Sequence, residues 1–274
     1  MTGVYLEYYG LRQTPFDLTP NPRFLFHSQK HREAYNHLLY GICERKGFVQ
    51  LTGEVGAGKT TLCRALLEQL NGIFSTALIL NPVMDANGLM KAIATEFGLE
   101  VNGRDRMETI AAISEFLLQQ VQQGRETVLI IDEAQDLTEE LLEQIRLLSN
   151  IETDDRKLLQ IVLLGQPELR DRLDSPRLRQ LRQRITVRYH LAPLTRAEVG
   201  DYIRYRLELA GAQGVPYFTQ PATRRVFHYS RGIPRLINAL CDKALLAGYV
   251  EQSGEITYAM VGRAIRELEG KIRP

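Results

Sequence analysis

The run Gly53-Glu54-Val55-Gly56-Ala57-Gly58-Lys59-Thr60 has the residue types and spacing of a loop that wraps phosphate. Its glycines let the backbone curl until successive N–H groups face an anion, and a helix starting behind them adds partial positive charge. Lys59 would reach the β and γ phosphates, the Thr60 hydroxyl would bind Mg2+, and Thr61 would touch the α phosphate. A second signal is VLIIDEAQ, an apolar run that ends in Asp132 and Glu133. An acid at the carboxyl end of a parallel strand lies in the crevice where α/β sheets bind ligands. Asp132 is therefore expected to hold magnesium through water, and Glu133 to orient or deprotonate an attacking water. Together these runs predict binding and hydrolysis of ATP with Mg2+.

Other residues would complete such a site. The apolar run LLQIVLLG delivers Gln166 to a strand tip, from which an amide can bond a γ phosphate or the water, or merely begin the next helix. Arginines are dense from Arg170 to Arg188. They fit a solvated basic helix, a nucleic-acid contact, or a guanidinium that enters a neighbouring subunit's site, with Arg184 the first choice and Arg182 the second. In Arg231-Gly-Ile-Pro-Arg235, Pro234 opens a helix with Arg235 in its first turn. A cation is disfavoured at a helix N-terminus, so Arg235 suggests an anionic partner, the γ phosphate or else a carboxylate in a surface salt bridge.

These residues need a scaffold, and the order of apolar runs supplies one. Near-continuous apolar strands at Gly47–Thr52, Thr76–Asn81, Thr127–Asp132, Leu158–Gly165 and Ile185–Leu191 alternate with helical stretches, as in a parallel sheet covered on both faces. Residues 1–46 form an aromatic and proline-rich strap, extended rather than helical, followed by a helix from about Gln29; both are expected to pack on the α/β core. Residues 47–193 form that core. Residues 194–274 read as an all-helical lid that opens on a Thr195/Glu198 capping box, with further starts near Thr219, Pro234 and Thr257.

Composition narrows the class. A formal charge of +1 over 274 residues argues against a surface tuned as a whole to a polyanion. No run approaches the ~18 apolar residues of a membrane span, which predicts a soluble, cytoplasmic chain. The cysteines Cys43, Cys63 and Cys241 lack metal-ligand spacing and are expected as small buried apolar residues.

Taken in order, GEVGAGKT, IIDEAQ, LLGQPEL, LRQRI and GIPRLIN, behind the opening YGLRQTPFDLTPNPRFLF and HREAYNHLLYGI, resemble the AAA+ ATPases of the general secretion pathway protein A (ExeA) type. The resemblance implies a P-loop core of AAA+ type with strand order 5-1-4-3-2, a helical lid, ring or partial-ring homo-oligomers and ATP at subunit interfaces. It assigns Lys59 and Thr60 to phosphate and magnesium, Asp132 and Glu133 to the Walker B role, Gln166 to sensor 1, Arg184 to the finger and Arg235 to sensor 2. It also sets the aromatic opening segment beside the adenine. Longer members continue into a transmembrane helix and a peptidoglycan-binding domain. This chain stops soon after Glu269, like the shorter, MshM-like members linked with mannose-sensitive pilus biogenesis, or like a truncated form. The expected partners are further copies of the chain and secretion or type IV pilus assembly proteins, at the inner face of the bacterial inner membrane. A DNA-binding regulator similar to the TnsC and MuB transposition ATPases is the alternative, and a nucleotide-gated scaffold without turnover is a third reading.

Overall fold

The computed structural model describes residues 4–101, 103–153 and 156–271. The chain runs through α1 (Leu6–Tyr9), α2 (Gln29–Cys43), β1 (Phe48–Gly53), α3 (Lys59–Leu70), β2 (Phe74–Ile79), α4 (Ala86–Glu96) and α5 (Arg106–Gln122). It continues through β3 (Glu126–Ile131), α6 (Glu139–Leu148), β4 (Leu159–Gly165), α7 (Pro167–Leu173), α8 (Arg179–Arg184) and β5 (Ile185–Leu191). The last part holds α9 (Arg196–Leu209), β6 (Tyr217–Phe218), α10 (Gln220–Ser230), α11 (Pro234–Val250), β7 (Glu255–Ile256) and α12 (Tyr258–Leu268). Two compact units result: residues 32–53 with 62–191, and residues 4–31 with 54–61 and 192–271.

The first unit is the α/β core. Its five strands are parallel in the order β2-β3-β4-β1-β5, the order that the resemblance implies. Register explains why the strands read as unbroken apolar runs. Phe48, Ile161, Leu129 and Ala77 lie side by side on one face, in a buried cluster with Leu89 and Ile93 of α4 and Ile113 and Leu117 of α5. On the other face Val49, Val162 and Ile130 are equally buried. There α2 lies so close that a Cβ at Gly41 would collide with Val49. Burial on both faces leaves no polar side to alternate with. The sheet's carboxyl edge is consequently where the chain can offer polar groups, and it carries Gly53, Asp132 and Gln166.

The second unit is mainly helical. Helices α9 to α12 bury Val199, Ile203, Val226, Ile237, Leu240, Ala244 and Val261 in one cluster. Thr195 and Glu198 cap α9 reciprocally, as their spacing predicts, and Thr219 and Thr257 cap α10 and α12. The unit is not all-helical, however. Tyr217–Phe218 pairs in parallel with Glu255–Ile256, a ladder too short to show as a sequence period.

The opening segment also departs from expectation. Tyr5, Tyr9, Leu11 and Phe16 belong to the hydrophobic cluster of the helical unit rather than to that of the α/β core. Residues Leu6–Tyr9 form a single helical turn, closed by Gly10 in the left-handed region. The tyrosines explain the placement, because Tyr5 and Tyr9 each find polar partners in the helical unit. Tyr5 donates to Asp242, and the Tyr9 hydroxyl lies 3.1 Å from the carbonyls of Leu245 and Ser253. Arg206 fixes the strap from below. It is only 7% exposed, stacks over Phe24 at 4.4 Å, and donates to the carbonyls of Pro15 at 2.6 Å and Asp17 at 3.3 Å. Cys63 and Cys241 are buried as expected, but Cys43, the last residue of α2, is exposed.

Candidate nucleotide site

The glycine loop leaves β1 at Gly53 and runs into α3 at Lys59, which provides the strand and helix that its spacing requires. Gly56 at φ +77° and Gly58 at φ +100° take left-handed conformations on either side of Ala57. Such alternation turns successive N–H groups to one side and leaves carbonyls on the other. Three of the loop's carbonyls have partners. The Glu54 carbonyl accepts from Ala57 N–H and from Lys59 Nζ, each at 3.1 Å. The Gly56 carbonyl accepts from the Arg235 N–H at 3.2 Å, and the Ala57 carbonyl lies 3.2 Å from His31 Nε2. A Cβ at Gly56 would overlap Arg235, so this glycine is required by contact as well as by φ.

Arg235 is thus brought to the phosphate loop by its own backbone, as the first-turn residue of α11. Its side chain is exposed and makes no hydrogen bond or ion pair among the described residues. Lys59 is 6% exposed, Val55 half exposed at the loop tip, and Thr60 and Thr61 half-buried in the first turn of α3.

In the α/β unit, Asp132 follows β3 and is 3% exposed; its Oδ1 accepts from the N–H of Glu133 at 2.9 Å. Glu133 has φ +50°, a left-handed conformation that costs a residue with a Cβ about 1 kcal/mol or more. The strain turns the carboxylate toward β4, where two amides hold one oxygen. Oε2 accepts from Gln135 Nε2 at 2.7 Å and from Gln166 Nε2 at 3.2 Å. The ring closes through Gln135 Oε1, which accepts from the Gln166 N–H at 3.0 Å. A Cβ on Gly165 would sit 3.0 Å from that same oxygen, so a glycine here leaves room for the amide. Gln166 therefore bonds the catalytic candidate itself, while its position as the N-cap of α7 makes no side-chain cap bond. Gln135 was not singled out by sequence reasoning; its place two residues after Glu133 was the available signal.

The arginine run is largely spoken for within the α/β unit. Arg172 donates to the Leu137 carbonyl, Arg177 meets Glu139 at 3.3 Å, Arg182 meets Asp174 at 3.3 Å, and Arg188 donates to the Arg182 carbonyl. Arg184 donates to Ser149 Oγ at 2.8 Å and to the Arg146 carbonyl at 3.3 Å, where α6 ends. A cation at a helix carboxyl end is favoured by the exposed carbonyls there. Among the described residues no group of three or more His, Cys, Asp or Glu side chains converges as a metal cage.

The comparisons agree with this fold. Residues 43–173 match the family model described as AAA domain. The chain is 46% identical over 268 residues to general secretion pathway protein A of Aeromonas hydrophila, covering 97% of this chain and 49% of that protein. It therefore spans about half the length of that relative. Among solved structures, Cdc6p from Pyrobaculum aerophilum superposes with a TM-score of 0.69 at 16% identity, covering 96% of this chain and 70% of that one. The ORC2 protein of Aeropyrum pernix gives 0.66 at 15% identity (91% and 72% covered), and the Thermotoga maritima RuvB Holliday junction branch migration motor 0.61 at 22% (89% and 70%). The sheet order, the glycine loop and these likenesses define a P-loop fold of the AAA+ class. Within that class, the chain belongs to the general secretion pathway protein A (ExeA) family.

Proposed function

We propose that the protein binds ATP with Mg2+, hydrolyses it, and uses nucleotide-dependent self-assembly to support a secretion or type IV pilus apparatus at the cytoplasmic face of the inner membrane. The observation that carries the catalytic part is the Glu133 carboxylate, fixed by two amides at the carboxyl edge of a parallel sheet whose β1 leads into the glycine loop. In this reading Gly53 to Thr61 cradle the phosphates, with Lys59 on the β and γ groups. Thr60 and Asp132 would hold magnesium, which supplies charge neutralisation for the leaving phosphate. Glu133 activates water, Gln166 reports on the γ phosphate, and Arg235 supplies a cation to it from α11.

A finger from a neighbouring copy completes the proposed site. Arg184 is bonded at the end of α6, and Arg182 is half exposed and paired with Asp174. Alanine at each, mixed with a Lys59→Ala chain, separates them: the true finger variant regains turnover only in mixed assemblies, where a wild-type arginine faces an intact phosphate loop.

Support for the secretion role is the relationship to the Aeromonas hydrophila protein over nearly the whole of this chain. In the proposed organisation of strap, core and lid, the strap belongs with the lid. The arginines bonded within the α/β unit weaken the DNA-binding alternative, since a guanidinium already bonded to the protein releases fewer counterions on binding phosphate. Sizing the protein by light scattering with ATP, with ADP and without nucleotide tests the function directly. ATP-dependent assembly that Lys59→Ala abolishes is the expected result; assembly indifferent to nucleotide, or unchanged ATP affinity in Lys59→Ala, overturns it.

A further inference from the structure

We propose that His31 is a positioning residue of the phosphate loop: its neutral imidazole holds the Ala57 carbonyl on the outside of the loop and keeps the neighbouring N–H groups turned toward phosphate. This rests on ATP being the ligand of that loop.

The protonation of the ring follows from its partners. A carbonyl oxygen can only accept, so the ring nitrogen 3.2 Å from Ala57 O, Nε2, must carry the proton. Nδ1 is then the lone-pair nitrogen, and the Ser28 hydroxyl, 2.8 Å away, donates to it. The same Oγ accepts from the His31 N–H at 3.2 Å, capping the first turn of α2. Ser28 thus fixes both the tautomer of the ring and the start of the helix that carries it. Both side chains are 4% exposed and Ala57 is 1% exposed, so water does not replace these bonds. Burial also holds the ring's pKa below the usual histidine range, against the raising effects of the Ala57 bond and of Glu198 and together with a lowering effect of His27.

The loop needs such a brace because its flexible points adjoin Ala57. Glycines lie on both sides of it, and Gly58 at φ +100° can take the opposite sign at little cost. Rotation of the peptide between Ala57 and Gly58 would swing a carbonyl oxygen into the place where an N–H should meet phosphate. The imidazole opposes that rotation in two ways. It binds the carbonyl, and it stands beside Gly58, where an added Cβ would lie 3.2 Å from Nε2. The neighbouring Gly56 carbonyl is held from α11 by the Arg235 N–H, so successive outward carbonyls are fixed by two distant parts of the sequence.

The experiment measures ATP affinity with a fluorescent ATP analogue, and steady-state turnover, on the full chain. His31→Ala is expected to weaken the analogue about tenfold, as for an unpaired buried carbonyl, with turnover at saturating ATP within about twofold of wild type. His31→Gln places an amide N–H near the position of Nε2 and is expected to return most of the affinity. Ser28→Ala keeps the ring but removes the hydroxyl that fixes its tautomer, and should weaken binding by about threefold. Affinity within about twofold of wild type in His31→Ala overturns the brace, as does a folded His31→Gln no better than His31→Ala. If His31→Ala does not fold, Ser28→Ala decides, and wild-type affinity there overturns it. A wild-type chain that ignores ATP brings down the functional reading and this one together, whereas failure of the variants alone leaves ATP binding standing.

Discussion

The two polar networks that serve the proposed chemistry are built from different parts of the polypeptide. Around Glu133, side chains hold a side chain: two glutamine amides grip one carboxylate oxygen. Around the phosphate loop, the grip is on the backbone, through the carbonyls of Glu54, Gly56 and Ala57. The difference matches the tasks. A loop that reads phosphate with its N–H groups must have its peptide planes fixed. A carboxylate that moves a proton must be aimed but able to change partners. The phosphate-loop network is therefore expected to govern affinity, and the Glu133 network turnover.

Glu133→Gln offers the sharpest break. It keeps the shape of the side chain and removes the base, so turnover should fall by ~10²–10⁴-fold while ATP affinity stays near wild type. Phosphate release and nucleotide binding, measured in parallel, check this; unchanged release would show that Glu133 is not the base. Next in size is Arg206→Met, which touches neither network. It leaves the Pro15 carbonyl without its donor and the Asp17 carbonyl with Asn238 alone, and should lower stability by about 2 kcal/mol, read by denaturant unfolding. A loss in turnover larger than the loss in folded protein would show that the strap serves the chemistry too.

Gln135→Ala is expected to be milder. The carboxylate keeps its bond from Gln166, so turnover should fall about tenfold with little change in affinity, the opposite split from His31→Ala. Equal losses in affinity and turnover in both variants would erase the distinction between the networks. The smallest effect is that of pH on His31. Its folded pKa lies below the unfolded value of 6.5, so the neutral ring contributes stability that is complete above 6.5 and is lost as pH falls through the folded value. Phosphate-loop affinity should fall in the same direction, with Glu198 and His27 the charged or titratable neighbours that tune it. Thermal unfolding of wild type and His31→Gln across this range compares the slopes, and identical slopes would remove the ring from the account.

What could be read in the sequence follows from how local each signal is. The glycine loop, the acid pair and Gln166 were legible because a strand, a tip and a helix start occupy a few consecutive residues. The five strands were legible because burial on both faces writes an unbroken apolar run. Gln135 was hidden because its second partner, Gln166, follows β4, and only its place two residues after Glu133 marks it. Ser28 and His31 were hidden for the same reason, since Ala57 lies 26 residues further on. The aromatic opening was read as an extended strap on the core, yet its partners Asp242, Leu245 and Ser253 come from α11 and the loop after it. The exposed Cys43 shows the limit of composition: thiols are usually buried, but the end of a helix has an outward face.

The Arg206 anchorage also sets an order of events during synthesis. Pro15 and Arg206 are 191 residues apart, so at ribosomal rates the strap waits roughly ten to forty seconds for its anchor to be made. Phe16, Tyr5 and Tyr9 have nothing to cover them in that interval. A nascent chain therefore displays a sticky aromatic segment until α9 to α12 have emerged, and during that interval the segment is open to capture by other chains.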